Sequence, residues 1–386
     1  MSTLYKGISS LALTGEKFGD IQVIENAALA VSDGKVIFAG PAHKAIACDE
    51  TVDLGGRAVI PGFVDSHSHL IFAGERSEEF ASRITGKPYA AGGIRTSVRA
   101  TRAASDEELR ANAKKLIGEF YSNGITQFEI KSGYGLDVET ELRSLKIASE
   151  LTPHTTFLGA HVVPEGVERS DYIKSVTGEM LQAVKPYAKW IDVFCDQGAF
   201  SVDEAKEILQ AGIAAGLKPR IHANQLANLG AVAMAVELDC ASLDHATHLT
   251  AEDIAALSGS NTVVTLLPGA EFSTKSPYPD GRRLASAGIT LAIATDCNPG
   301  SSFTTSMPFC IAVAVREMGL TPEQALWAAT RGGAKALRTD GGSLSVGASA
   351  DFVVLDAPNH LFLSYRPGVQ LVSQTYIAGR RVFERQ

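Results

Sequence analysis

Along its middle the chain passes repeatedly from a short apolar stretch into an amphipathic one, and that rhythm limits the fold more than any other feature. The apolar stretches cover residues 58–64, 125–130, 155–159, 190–195, 217–221, 240–243, 262–267 and 289–294. Most lack clean alternation, as parallel strands buried on both faces do. Helix signals fall between them. Ser105 with Glu108 and Ser201 with Glu204 have the spacing of capping boxes. Thr250 with Asp253 opens a third helix, and Thr321 with Pro322 and Gln324 a late one. Leu109, Ala113, Leu116, Ile117 and Phe120 keep one apolar face, while Asn123-Gly124 and Gly216 supply stops. Strands alternating with helices imply a parallel sheet, and eight such units imply a closed (β/α)8 TIM barrel. A doubly wound open sheet is the alternative, but no GxGxxG follows an early strand.

The two ends read differently. Residues 21–23, 28–31 and 35–39 are short and β-prone, with the hairpin signal SDGK at 32–35. DFVVLDA (351–357) and VQLVSQTYIAGRRVFE (369–384), with its Ala-Gly turn, have the same character. Separate appendages of that size would each bury too little surface. The expectation is one small composite β-sandwich domain built from residues 1–57 and 351–386, around a barrel of residues 58–350.

A net charge of −8 over 386 residues offers nothing to attract nucleic acid or an anionic membrane across the whole surface. An anionic small substrate would need a local arginine. The cysteines, at 48, 195, 240, 297 and 310, form no CxxC pair, which suits a reducing compartment. MSTLYKGISS has no signal-peptide pattern, and no apolar run nears the ~18 residues of a membrane span. A cytoplasmic protein is expected.

The polar residues cluster where the strands end. His67 and His69 follow the first strand at a spacing that puts both imidazoles on one face, with Asp65 beside them. Two converging imidazoles are half of a metal site; two histidines bonded to backbone or water are the plain alternative. Lys131 and Tyr134 follow strand two, and His161 strand three. Strand four ends at Asp196, read as a helix cap. His222 and Gln225 follow strand five, His245 strand six and Asp296 strand eight. In a barrel all these ends share one face, the face that carries chemistry. Five of the nine histidines lie there. Lys131 is open between an ion-pair partner and a support for the ligands.

The ordered set of HxH, His, His and Asp from strands one, five, six and eight resembles the amidohydrolase superfamily over nearly the whole chain. Within it the match is closer to the imidazolonepropionase family, through DSHSHLIFAGER (65–76), EIKSGYGL (129–136), LGAHVVP (158–164), HANQLANLG (222–230) and ATDCNPGSS (294–302). The resemblance implies one zinc or iron ion per subunit, held by His67, His69, His222 and Asp296. Strand four ends in VFCDQ, without the lysine that bridges two metals in binuclear relatives.

The activity it implies is hydrolysis of the ring amide of 4-imidazolone-5-propanoate to N-formimidoyl-L-glutamate. A metal lowers the pKa of bound water from 15.7 to roughly 7. His245 would donate to the ring carbonyl oxygen as negative charge builds there. Asp296 would shuttle the proton to the leaving nitrogen. Some family members carry a glutamate, assigned as base, where this chain has Gln225. A glutamine accepts no proton, so Gln225 is left to orient substrate or water. Arg76 suits a bidentate grip on the propionate, and Tyr134 adds a hydroxyl. The resemblance also places His161, Asn298, Gly300 and Ser301 at the substrate, although Asn-Pro-Gly is also an ordinary turn. It suggests a homodimer. The rivals are a deaminase or other cyclic amidohydrolase on the same frame, and a catalytically dead barrel serving assembly. A neutral nucleobase needs no carboxylate clamp, and a dead barrel would be expected to lose ligands.

Overall fold

The computed structural model describes residues 1–85 and 93–386. Two sheets make the molecule. The first joins both ends of the chain in the order Arg380–Glu384, Val372–Ile377, Phe352–Leu355, Glu50–Pro61, Ser2–Thr14, Ile21–Ser32, Lys35–Pro41. Its pairs are antiparallel except Ser2–Thr14 with Glu50–Pro61. Asp33 and Gly34 have φ of 50° and 75°, the left-handed pair that the SDGK hairpin needs. Val36 donates to the Ala348 carbonyl at 3.0 Å, so the far edge strand comes back beside the chain leading into Phe352–Leu355. The sheet thereby folds over one core of Tyr5, Ile8, Leu11, Leu29, Val36, Phe352 and Tyr376.

The second sheet is the barrel. Its strands are Phe63–Asp65 (one), Ile125–Phe128 continued by Ile130–Lys131 (two), Thr155–Ala160 (three) and Trp190–Cys195 (four). Lys218–Pro219 continued by Ile221–Ala223 (five), Ser242–His245 (six), Val263–Leu266 (seven) and Leu291–Ile293 (eight) complete it. Neighbours pair in parallel. Strand eight returns to strand one through a parallel Ser68–Cys297 bridge, with Asp296 N–H to the His67 carbonyl at 3.0 Å and His69 N–H to the Cys297 carbonyl at 2.9 Å. The (β/α)8 barrel is therefore closed. The four helix starts read from sequence all carry their caps: Ser105, Ser201, Thr250 and Thr321 each accept from the third helical N–H.

One strand departs from its sequence reading. Residues 58–64 are not one strand. Glu50–Pro61 belongs to the terminal sheet, and the barrel starts at Phe63. The chain changes sheets at Gly62, whose N–H bonds the Asp351 carbonyl at 2.9 Å. A Cβ there would lie 2.2 Å from Thr126 Oγ1, so only glycine fits the crossing. Among the described residues, no helix is long and apolar enough to cross a membrane.

Candidate metal centre and active site

Inward-facing side chains recur every second residue along the barrel strands. Asp65, His67 and His69 therefore climb one line, Glu129 and Lys131 a second, Arg220 and His222 a third, Ser242 and Asp244 a fourth. All are buried. The upper ends of these lines meet at the mouth of the barrel, and the lower ends form a charged floor.

At the mouth, the ligating atoms of His67, His69 and His222 lie within 4.8 Å of one another. Asp296 Oδ1 stands 3.5 Å from His67 Nε2 and 3.6 Å from His69 Nε2. The four residues read as ligands are thus brought together. The floor sets how the rings face. His67 Nδ1 meets Asp244 Oδ2 at 2.8 Å, and His222 Nδ1 lies 3.0 Å from Asp192 Oδ2. A carboxylate only accepts, so the His67 ring carries its proton on Nδ1 and turns Nε2 outward, while His222 Nδ1 faces Asp192 without hydrogen-bonding geometry.

The electrostatics suit a cation. Burial pushes His67 and His69 well below the usual imidazole range, so both are neutral donors. Burial pushes the Asp296 carboxyl well above its usual range. A buried carboxylate lacking a counter-charge behaves this way, and a metal ion supplies the charge. Among the described residues, the buried His67 Nε2 has no hydrogen-bond partner. Three imidazoles and one carboxylate are the donors a divalent metal takes.

Asp296 is aimed by its own turn. Its φ is +50°, and Ser301 Oγ donates to its Oδ2 at 3.1 Å. Asn298 engages both ends of its amide here: Nδ2 donates to the Asp296 carbonyl and to Ser301 Oγ, and Oδ1 accepts from Gly300 and Ser301 N–H. His245, at φ +79°, also sits in the left-handed region, where an ordinary residue is uncommon and functional sites concentrate.

A narrow cavity opens over the four residues read as ligands, and Arg76, Tyr134, His161, Gln225, His245, Asn298 and Ser301 line it with His69, His222 and Asp296. His161 stacks on His69 with centroids 5.6 Å apart. Gly300 lies beside the cavity; a Cβ on it would sit 2.2 Å from Arg76 Nη1, so glycine lets the turn approach the guanidinium. Arg76 is gripped from behind by Glu79, with Nε and Nη2 each 2.7 Å from a carboxylate oxygen.

Two readings from sequence change. Asp196 caps no helix, since Ser201 does that. Its carboxylate instead accepts the N–H groups of Gln225, Leu226 and Ala227 at 2.6, 3.0 and 3.1 Å and so fixes the loop carrying Gln225. Lys131 is not past strand two but inside it, fully buried, 2.9 Å from Glu129 Oε1 and 2.7 Å from Asp192 Oδ2. Sequence reasoning missed Glu79, Glu129, Asp192, Arg220 and Asp244, and the apolar wall of Ile94, Val162 and Phe194. The signal for the floor was there: ExK, RxH and SxD alternate in period two within otherwise apolar runs.

Comparison with known proteins agrees with this geometry. The sequence profile of the Amidohydrolase family matches residues 58–382. The chain belongs to the amidohydrolase family. As an amidohydrolase it is a hydrolase, and its donor set suits a divalent metal. Two of its relatives are named imidazolonepropionase. The protein from Mycolicibacterium smegmatis is 58% identical over 369 residues, covering 95% of this chain and 93% of its own. That from Streptomyces griseus subsp. griseus is 55% identical over 387 residues, covering 99% of both. Among solved structures, guanine deaminase from C. acetobutylicum superposes with a TM-score of 0.70 at 15% identity, over 99% of this chain and 100% of that one. At that identity the likeness concerns the amidohydrolase fold alone.

Proposed function

We propose that this amidohydrolase is an imidazolonepropionase. It adds water across the ring amide of 4-imidazolone-5-propanoate, placing oxygen on the carbonyl carbon and a proton on the leaving nitrogen, to give N-formimidoyl-L-glutamate. The observation that carries the reading is a cavity lined by the histidine–aspartate cluster together with Arg76, in a chain more than half identical to relatives named imidazolonepropionase. One zinc or iron ion per chain, held by His67, His69, His222 and Asp296, would polarise the carbonyl and lower the pKa of a water.

The chain's own residues do the rest. Arg76, its Nε and Nη2 held in place by Glu79, binds the propionate, with Tyr134 beside it. His161 and the apolar wall bound the ring. His245 donates to the carbonyl oxygen as charge develops there. Gln225 orients the amide and has no proton to exchange. Asp296 carries the proton from water to the ring nitrogen, its second oxygen steadied by Ser301. Asn298 and Gly300 shape the turn that presents Ser301 and Asp296. A homodimer in the cytoplasm, without nucleic-acid or membrane partners, completes the proposal; the net charge of −8 and five free thiols support its second half.

Metal analysis of purified protein, together with loss of imidazolone absorbance, tests the reading. Arg76→Ala should raise KM about 10–100-fold, the worth of one charge-assisted hydrogen-bond pair. An analogue lacking the propionate should be turned over alike by both proteins; equal damage to both substrates removes the clamp.

A further inference from the structure

Beneath the mouth lie Glu129, Lys131, Asp192, Arg220 and Asp244, all fully buried. The reaction uses none of them directly. Buried charges are costly unless closely paired, so a cluster of this kind calls for a role.

The contacts run in one direction. Lys131 Nζ lies 2.7 Å from Asp192 Oδ2, the oxygen that faces His222 Nδ1 at 3.0 Å. It is 3.8 Å from Asp244 Oδ2, the oxygen bonded to His67 Nδ1. Arg220 approaches that oxygen from the other side at 3.7 Å and bonds Ser242 Oγ at 2.9 Å. The same strand also holds the peptide between the first two ligands. Lys131 N–H donates to the Ser68 carbonyl at 2.8 Å, and Ser68 N–H donates to Glu129 Oε2 at 3.2 Å. Glu129 Oε1 in turn accepts from Lys131 Nζ at 2.9 Å. Three carboxylates against two cations leave one surplus negative charge, set behind the imidazoles.

We propose that Lys131 is a positioning residue for the metal: its ammonium fixes Asp192 and Asp244 against the backs of His222 and His67, and Glu129 against Ser68, so that all three imidazoles converge. The inference rests on the reading of these histidines as metal ligands. It makes metal retention depend on a cation one layer below the ligands. Outer partners of metal-bound histidines typically control affinity by 10–100-fold.

The test compares metal-loaded wild-type protein with Lys131→Met, which keeps the unbranched stem one atom shorter and removes the charge. Chelator competition reads affinity for zinc, circular dichroism reads folding, and ¹⁵N NMR of the histidine rings in metal-stripped protein reads the tautomers. The expected result is a folded variant that holds zinc 10–100-fold more weakly and whose His67 ring no longer shows one Nδ1-protonated form. A folded variant with zinc affinity within twofold of wild type and unchanged tautomers overturns the inference. Should Lys131→Met not fold, Asp244→Asn, which keeps the size of the link, is judged on the same readouts with the same two outcomes. Wild-type protein that takes up no metal would instead sink the ligand reading, which separates the two failures.

Discussion

The two sheets of this protein fill their interiors with opposite materials. The terminal sheet buries aliphatic and aromatic groups. Phe352 stacks on Tyr376 with centroids 4.2 Å apart, and Tyr5 meets both edge-on at 5.0 and 5.4 Å. The upper barrel buries five ionised residues and the imidazoles above them. A core chosen for stability has no use for the second arrangement, because well-packed apolar residues of similar volume hold a fold at least as well. The barrel therefore gives up stability to orient a site, and the terminal sheet supplies apolar burial without chemistry. The comparison separates variants into two kinds: those that remove activity and leave the fold, and those that do the reverse.

The largest effect belongs to the barrel. His245→Ala should lower turnover about 10²–10³-fold, as loss of one donor to a developing oxyanion does. Metal content and unfolding midpoint should stay near wild type, since His245 is not among the ligands. Both residues carry a Cβ, so the cost of the +79° φ is unchanged. Steady-state kinetics with metal analysis decides; turnover near that of wild type would take His245 out of the reaction.

The converse variant lies in the terminal sheet. Phe352→Ala removes a fully buried ring and should cost about 3–5 kcal/mol of stability, read by denaturant unfolding. The folded fraction should keep its metal and its turnover. A variant that loses turnover at unchanged stability would mean that the terminal sheet shapes the site, and the division between the two regions would fail.

Much of this division is legible in the sequence, and its gaps have physical causes. Each barrel strand shows as an apolar run because both its faces are covered, and the helix starts show because capping is local chemistry. The crossing at Gly62 is hidden because the apolar run continues across it while the chain changes partners. His67, His69, His161, His222, His245 and Asp296 are readable because each sits at or just past a strand end, whereas Arg76, Asn298, Gly300 and Ser301 come only from the family resemblance of their segments. The floor is harder. Glu129, Asp192 and Arg220 lie inside runs read as apolar and Asp244 one residue past one, and the period-two spacing is what betrays an inward line. In sequence Asp196 reads as a cap because capping is a common local use of such an aspartate. Its partners, the N–H groups of residues 225–227, are neighbours only in space. The grip of Glu79 on Arg76 is local, at i and i+3, yet it matters only once the cavity is known.

The smallest predicted effect concerns acid. Burial pushes His161 down to about 3 and His154 down to about 4, against roughly 6.5 in an unfolded chain. Between those limits the unfolded chain binds protons that the folded barrel refuses. Stability contributed by neutral histidine is therefore intact above pH 6.5 and is lost on acidification, at about 1.4 kcal/mol per pH unit for each group. Burial acts the other way on Asp65, pushed up to about 7, and Glu271, pushed up to about 8. Their protonation in the fold favours the barrel as pH falls towards 4 and roughly cancels the histidine loss over that range. Below about 4 that gain is complete, while His161 goes on losing stability until about 3. The core of the terminal sheet has no such group: Tyr5, pushed up to about 12, does not titrate in acid. Native-state hydrogen exchange on metal-free protein near pH 4 and near pH 3 should show protection falling in the barrel strands slightly more than in the terminal sheet. Equal loss in both would mean that the two interiors do not differ in the way their side chains imply.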